Sequence, residues 1–240
     1  MLKNKTADLV KIFPGKTGRL AAFLLGTSLF LYFITALLGS RLILRFALVG
    51  NIGLAMLPAP FAALLLHRSL QGKRGFLSVL WGALWLVFFP NAPYMLTDGI
   101  HIALYQYDYG YAASPVAEPW LWLVYLLFTV AVGCTWGYLS LYWLHNLLRQ
   151  RKGKAAGWLF CAVTALLSGT GIYMGRFIRL NSWDVLHPLQ LAARLWAHVN
   201  SQSAFFILLF AAMTAGGYLL FYFCVDNTQA KRRAEEEKPL

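Results

Sequence analysis

Six stretches of the chain are almost continuously apolar: Leu20–Leu38, Leu44–Leu66, Phe76–Leu96, Trp120–Leu144, Ala155–Tyr173 and Ala204–Val225. An α-helix rises about 1.5 Å per residue, so a hydrocarbon layer of ~30 Å takes roughly twenty residues to cross. Each stretch reaches or approaches that length. Lipid offers the backbone no hydrogen bonds, and a spanning segment satisfies itself only as a helix or in a closed barrel. Long unbroken runs, without period-two alternation, predict helices. The expected fold is therefore all-α: a polytopic transmembrane helix bundle of about six spans. The first run follows Lys3, Lys5, Lys11, Lys16 and Arg19, as a signal peptide's apolar region would. Its 19 residues exceed the usual length, however, and no small-x-small cleavage site follows, so a retained helix is expected.

The pattern leaves little outside the bundle. A basic tail (1–19), a single transmembrane domain (20–225) and a charged tail (226–240) divide the chain, and no internal repeat is visible. Beyond Gly175 the last long connection carries one further element. Pro188 opens a short segment in which Leu189, Ala192, Leu195, Trp196 and Val199 share one helical face, with Gln190, Arg194 and His198 on another. Such an amphipathic helix would lie in the membrane interface or cap the bundle.

Composition agrees with the membrane class. Apolar residues make up 59% of the chain and charged ones 12%, with mean hydropathy +0.58; soluble domains carry about 25% charged residues. The net charge of +12 then changes meaning. Sixteen of the 21 Lys and Arg fall on one side of the alternating spans and five on the other, which predicts that both termini are cytoplasmic. The basic residues are scattered over short connections near anionic headgroups, so membrane lipids are the expected partners and nucleic acid is not. Cys134, Cys161 and Cys224 sit in separate spans without paired spacing and read as apolar packing residues.

The apolar pattern fails at two places, and both fall on the predicted outer side. The third span ends in Phe89-Pro90-Asn91-Ala92-Pro93-Tyr94, followed by Thr97, Asp98 and His101. Pro90 removes a backbone donor and Pro93 restricts Ala92, so the helix should kink or break, with the Asn91 amide available to repair freed backbone groups or to line a cavity. The fifth span ends in Gly175-Arg176-Phe177-Ile178-Arg179-Leu180-Asn181-Ser182-Trp183-Asp184, and His187 follows. Polar groups at such depth need partners. The loop between the third and fourth spans has no Lys or Arg and places Tyr105, Tyr107, Tyr109 and Tyr111 at alternate positions, as an interfacial aromatic belt or a sugar-stacking platform.

These segments supply the candidate chemistry. Asp98 and His101, and again Asp184 and His187, stand three apart, so each pair could present oxygen and nitrogen to one point. Two facing pairs would suit a divalent metal able to polarise a phosphoryl or carbonyl group or to activate water. The competing reading makes Asp98 a helix cap and the histidines interfacial hydrogen-bonding groups. Asp98, His101 and Asp184 are the catalytic candidates; Asn91, Tyr94, Arg176, Arg179, Asn181 and Trp183 are the binding candidates. Arg176 and Arg179 could fork onto an anionic group, or pair with Asp98 and Asp184 to fix two outer segments together. Ser168-Gly169-Thr170-Gly171 lies inside an apolar run and lacks a P-loop Lys, so it reads as a site of close helix packing.

The segments FPNAPYMLTDGIH and GRFIRLNSWDVLHP, about eighty residues apart, resemble a bacterial integral membrane family known as domain of unknown function 1361. The resemblance extends from about the second span to the last. It implies a multi-pass membrane protein without an established activity. It also marks Asn91, Pro93, Tyr94, Asp98 and His101, with Arg176, Arg179, Asn181, Trp183 and Asp184, as signature positions. Three functions stay open at this point: binding or processing of an anionic lipid or glycan headgroup by a hydrolase or transferase, transport, and a non-catalytic assembly subunit.

Overall fold

The computed structural model describes residues 15–37, 43–100, 117–179 and 187–236, and every element among them is helical. In chain order these are α1 (Gly15–Leu37), α2 (Ile43–Met56), α3 (Pro58–Leu70), α4 (Phe76–Phe88), α5 (Asn91–Tyr94), a 3-10 turn (Met95–Gly99), α6 (Ala117–Lys152), α7 (Lys154–Tyr173), a π turn (Met174–Ile178), α8 (Pro188–Ala197) and α9 (Ser201–Glu236). Among the described residues six helical stretches are long and apolar enough to cross a membrane: Thr17–Ala36, Gly50–Leu70, Phe76–Gly99, Leu123–Lys152, Lys154–Ile178 and Ser201–Asp226. The protein is a multi-pass membrane helix bundle.

Three spans differ from the sequence expectation. The second is two helices meeting at Leu57, because Pro58 and Pro60 lack the donors that would bond the Leu54 and Met56 carbonyls. The chain tightens instead, with Leu57 N–H donating to the Leu54 carbonyl at 3.3 Å. The fourth span runs past Leu144 to Lys152, and Gly153 alone joins it to α7. Gly153 has φ 95°, a conformation open to glycine at little cost, which permits so abrupt a reversal. The last helix continues through the charged tail to Glu236.

The long helix α6 is the centre of the bundle, in contact with α1, α2, α3, α5, α7 and α9. Lipid tails are as apolar as leucine, so close packing and hydrogen bonds between helices replace the hydrophobic effect as the adhesive. Both are present. Trp85 Nε1 on α4 donates to Ser140 Oγ at 3.0 Å, and Trp136 Nε1 on α6 donates to Ser28 Oγ on α1 at 3.1 Å. Thr35 and Tyr125 share a hydroxyl–hydroxyl bond of 2.5 Å. Close approach is clearest between α7 and α9, where a Cβ on Gly169 would strike the Ile207 carbonyl oxygen, as the small-residue run in the fifth span predicts. The outward faces of α1 and α9 expose Phe23, Phe33, Phe205 and Leu220, as lipid contact requires.

Candidate functional site

The polar end of the third span is built by backbone donors that proline removes. Pro90 and Pro93 offer no N–H, so the α-helical ladder cannot pass through them. Ala92 N–H shortens its reach to the Phe89 carbonyl (3.1 Å), and the Phe88 carbonyl, deprived of that partner, accepts from Asn91 Nδ2 at 2.9 Å. The Asn91 side chain thus repairs the break. The chain stays helical throughout, narrowing into the 3-10 turn, where Thr97 Oγ1 donates to the Tyr94 carbonyl at 2.7 Å.

Glycines on two neighbouring helices make room for this narrowed segment. A Cβ on Gly133 would strike Met95 Sδ, and one on Gly137 would strike Ala92 Cβ. On α7, a Cβ at Gly171 would lie 2.8 Å from Pro90 Cβ and Cγ. The break is therefore clamped between α6 and the far end of α7. Cys134 is more than apolar filling, since its thiol donates to the Ala92 carbonyl at 3.5 Å. Cys161 is buried as expected, whereas Cys224 is exposed on α9.

That clamp brings the two signature segments together. Arg176, half-buried in the π turn that prolongs α7, donates from its guanidinium to the Thr97 carbonyl at 3.3 Å. The neighbouring Asp98 is buried, and its Oδ2 accepts from Asn51 Nδ2 on α2 at 3.0 Å. Asn51 did not figure in the sequence reading. The available signal was that it is the lone amide in the second apolar run, and an amide at that depth calls for a polar partner. Tyr94 is half-buried beside the break. Arg179 is exposed and left-handed (φ 58°), unlike any other non-glycine residue among those described. There it ends the helix as a left-handed C-cap, its backbone N–H donating to the Met174 carbonyl.

His101, Asn181, Trp183 and Asp184 lie outside the described residues, as do Tyr105, Tyr107, Tyr109 and Tyr111. Of the four metal-ligand candidates, Asp98 and His187 are described; His187 is exposed and immediately precedes α8. Among the described residues no group of three His, Cys, Asp or Glu side chains converges. Pro188–Ala197 forms α8, with Leu189 and Trp196 exposed and Leu191 and Leu195 half-buried. It is tied back to the bundle by Tyr173, whose hydroxyl donates to the His198 carbonyl at 3.5 Å.

A second polar cluster lies at the opposite end of α6. His145 is fully buried among the rings of Trp158, Tyr218 and Tyr222, with Nδ1 2.7 Å from the Tyr218 hydroxyl. Its Nε2 has no hydrogen-bond partner among the described residues and lies against the backbone of Gly157. The tautomer that suits this setting has Nδ1 donating to Tyr218. Nε2 then faces α7 as a lone pair, which is cheaper to leave unmatched than an N–H. One turn further on, Arg149 donates to the Tyr222 hydroxyl at 2.6 Å. These pairs join α6 to α9 and read as packing, with no path to the Asp98 end in evidence among them.

A family model described as "Protein of unknown function (DUF1361)" matches residues 51–215, a range that opens at Asn51 and includes both signature segments. No curated protein and no solved structure matches the chain.

Proposed function

This chain belongs to the DUF1361 family, a family without an assigned activity, and we propose that it binds an anionic lipid or glycan headgroup at the rim shared by Thr97, Asp98 and Arg176. One observation carries the reading. The guanidinium of Arg176 is held half-buried at the end of a span, with one donor on the Thr97 carbonyl. A guanidinium has five donors in a planar fork, the geometry that phosphate and carboxylate groups match. At the end of a span it would stand near headgroup depth, where the lipid layer offers anions. Tyr94, whose carbonyl accepts from Thr97 Oγ1, would complete the same rim. Arg179, Asn181, Trp183 and Asp184 follow within a few residues in sequence, and His101 follows Asp98, so binding and any processing of the headgroup would draw on them.

The test uses the full chain in phosphatidylcholine nanodiscs doped with phosphatidylglycerol, with retained lipid counted by native mass spectrometry. Arg176→Gln should reduce retained anionic lipid about tenfold, equivalent to ~1.4 kcal/mol. Arg176→Lys should recover part of it, because the charge returns without the fork. Full retention by Arg176→Gln, with a lowered melting temperature, would leave Arg176 as a latch between spans three and five and sink the reading.

We propose further that this rim faces outward, with both termini cytoplasmic, on the strength of the Lys and Arg asymmetry. A single cysteine placed at Arg179 in a Cys-free background should react with a membrane-impermeant maleimide on intact cells. One placed at Lys73 should react only after lysis, and the reverse pattern would invert the topology. In that orientation α8 lies in the outer interface, with Leu189 and Trp196 turned to lipid.

A further inference from the structure

The end of the bundle remote from Arg176 gathers its charge at one corner. Two short turns meet there, residues 71–75 between α3 and α4, and Gly153 between α6 and α7. The helix ends that lead into them are joined, since the Arg151 guanidinium on α6 donates to the Ser69 carbonyl on α3 at 2.5 Å. The first turn is held in shape by Arg68, whose Nε donates to Ser78 Oγ at 3.3 Å, and by Ser78, which donates to the Lys73 carbonyl at 2.9 Å. Lys73 and Arg74 are exposed on one turn, Lys152 and Lys154 on the other. Neither turn, nor the two residues on either side of it, contains an Asp or Glu.

We propose that this corner is a binding site for a phospholipid whose headgroup carries two phosphates. The four cations fall as two pairs on adjoining turns, and a headgroup with two phosphates can offer one to each pair. Concentrated positive charge without a carboxylate between is the electrostatic complement of such a group. The apolar surface beside it selects a lipid over a soluble anion: Phe76 is 79% exposed and Val79 71% exposed on the first turns of α4, directly after Arg74. Acyl chains would lie along that face. Arg149 is not part of the site, being turned toward α9 and Tyr222. The corner is separated from the Arg176 rim by the length of α7, twenty residues or roughly 30 Å, so the two sites stand or fall independently.

The test again uses the full chain in phosphatidylcholine nanodiscs. They are doped with cardiolipin (two phosphates) or with phosphatidylglycerol (one phosphate) at equal total phosphate charge, and retained lipid is counted by native mass spectrometry. The expected result is preferential retention of one cardiolipin. A basic residue near an anionic surface contributes about fivefold in affinity. Lys73→Gln with Arg74→Gln should therefore weaken retention by roughly ten- to thirtyfold, while Lys73→Arg with Lys152→Arg should preserve it. All four side chains are exposed, and an unchanged melting temperature in phosphatidylcholine alone confirms that the neutralised variant is folded. Equal retention of both lipids, or cardiolipin retained undiminished by the neutralised variant, overturns the proposal. Displacement of bound cardiolipin by inorganic pyrophosphate at modest excess would show a soluble-anion site and overturn it as well.

Discussion

Gly169→Ala is expected to lower the melting temperature of the detergent-solubilised protein sharply, whereas Gly216→Ala should leave it unchanged or raise it. Both glycines sit within helices, where replacing Gly by Ala ordinarily gains up to about 1 kcal/mol. At Gly216 the added Cβ meets nothing within 4 Å. At Gly169 it meets the Ile207 carbonyl oxygen and comes within 3.1 Å of the Ala211 nitrogen. Those are backbone atoms of α9, which cannot move aside as a side-chain tip can. To accept a methyl group, the two helices must separate along their whole contact. Overpacking commonly costs about 1–3 kcal/mol, and the upper part of that range applies where backbone blocks backbone. Thermal or SDS titration of the two variants in parallel decides it, and similar behaviour at both positions would contradict the close α7–α9 contact.

The same contact shows which features could be read from the chain and which could not. The six spans were legible because lipid imposes one rule along each crossing, and a run of apolar residues is the whole of that rule. The repair of the proline break by Asn91 was legible for a similar reason. Both partners, the freed Phe88 carbonyl and the amide, lie within three residues of each other. The small-residue run at Ser168–Gly171 announced close packing but not against what. Asn51 as the partner of Asp98 was out of reach because the two are 47 residues apart, and a lone amide carries no periodicity. The clamp of Gly133, Gly137 and Gly171 around the break was hidden similarly: a glycine in an apolar helix looks the same whether it faces lipid or another backbone. The ring cage of His145 was hidden in the same way, since it depends on which face of α9 presents Tyr218 and Tyr222.

Breaking the Asn51–Asp98 bond is the second large effect. Asp98 is 2% exposed, so a lost donor cannot be replaced freely by water. Hydrogen bonds to carboxylate groups contribute about 1.5–3 kcal/mol, and a buried acceptor left short of its donor costs a similar amount. Asn51→Ala should accordingly destabilise by roughly 2 kcal/mol. Asp98→Ala should cost a comparable amount, and the double variant clearly less than the sum, giving a coupling near 2 kcal/mol in a double-mutant cycle. Asp98→Asn should be the mildest of the set, because the amide oxygen still accepts from Asn51 Nδ2. An additive cycle would mean that the two side chains act separately, and Asn51 would then lose its place in the candidate site. Coupling would instead extend the rim to three spans, with α2 orienting the carboxylate, the broken end of the third span presenting it, and the end of the fifth supplying Arg176. Asp98 is a buried carboxylate and would not itself meet an anionic headgroup, so loss of Asn51 should act on anionic-lipid retention only by shifting the neighbouring Thr97 carbonyl and with it Arg176.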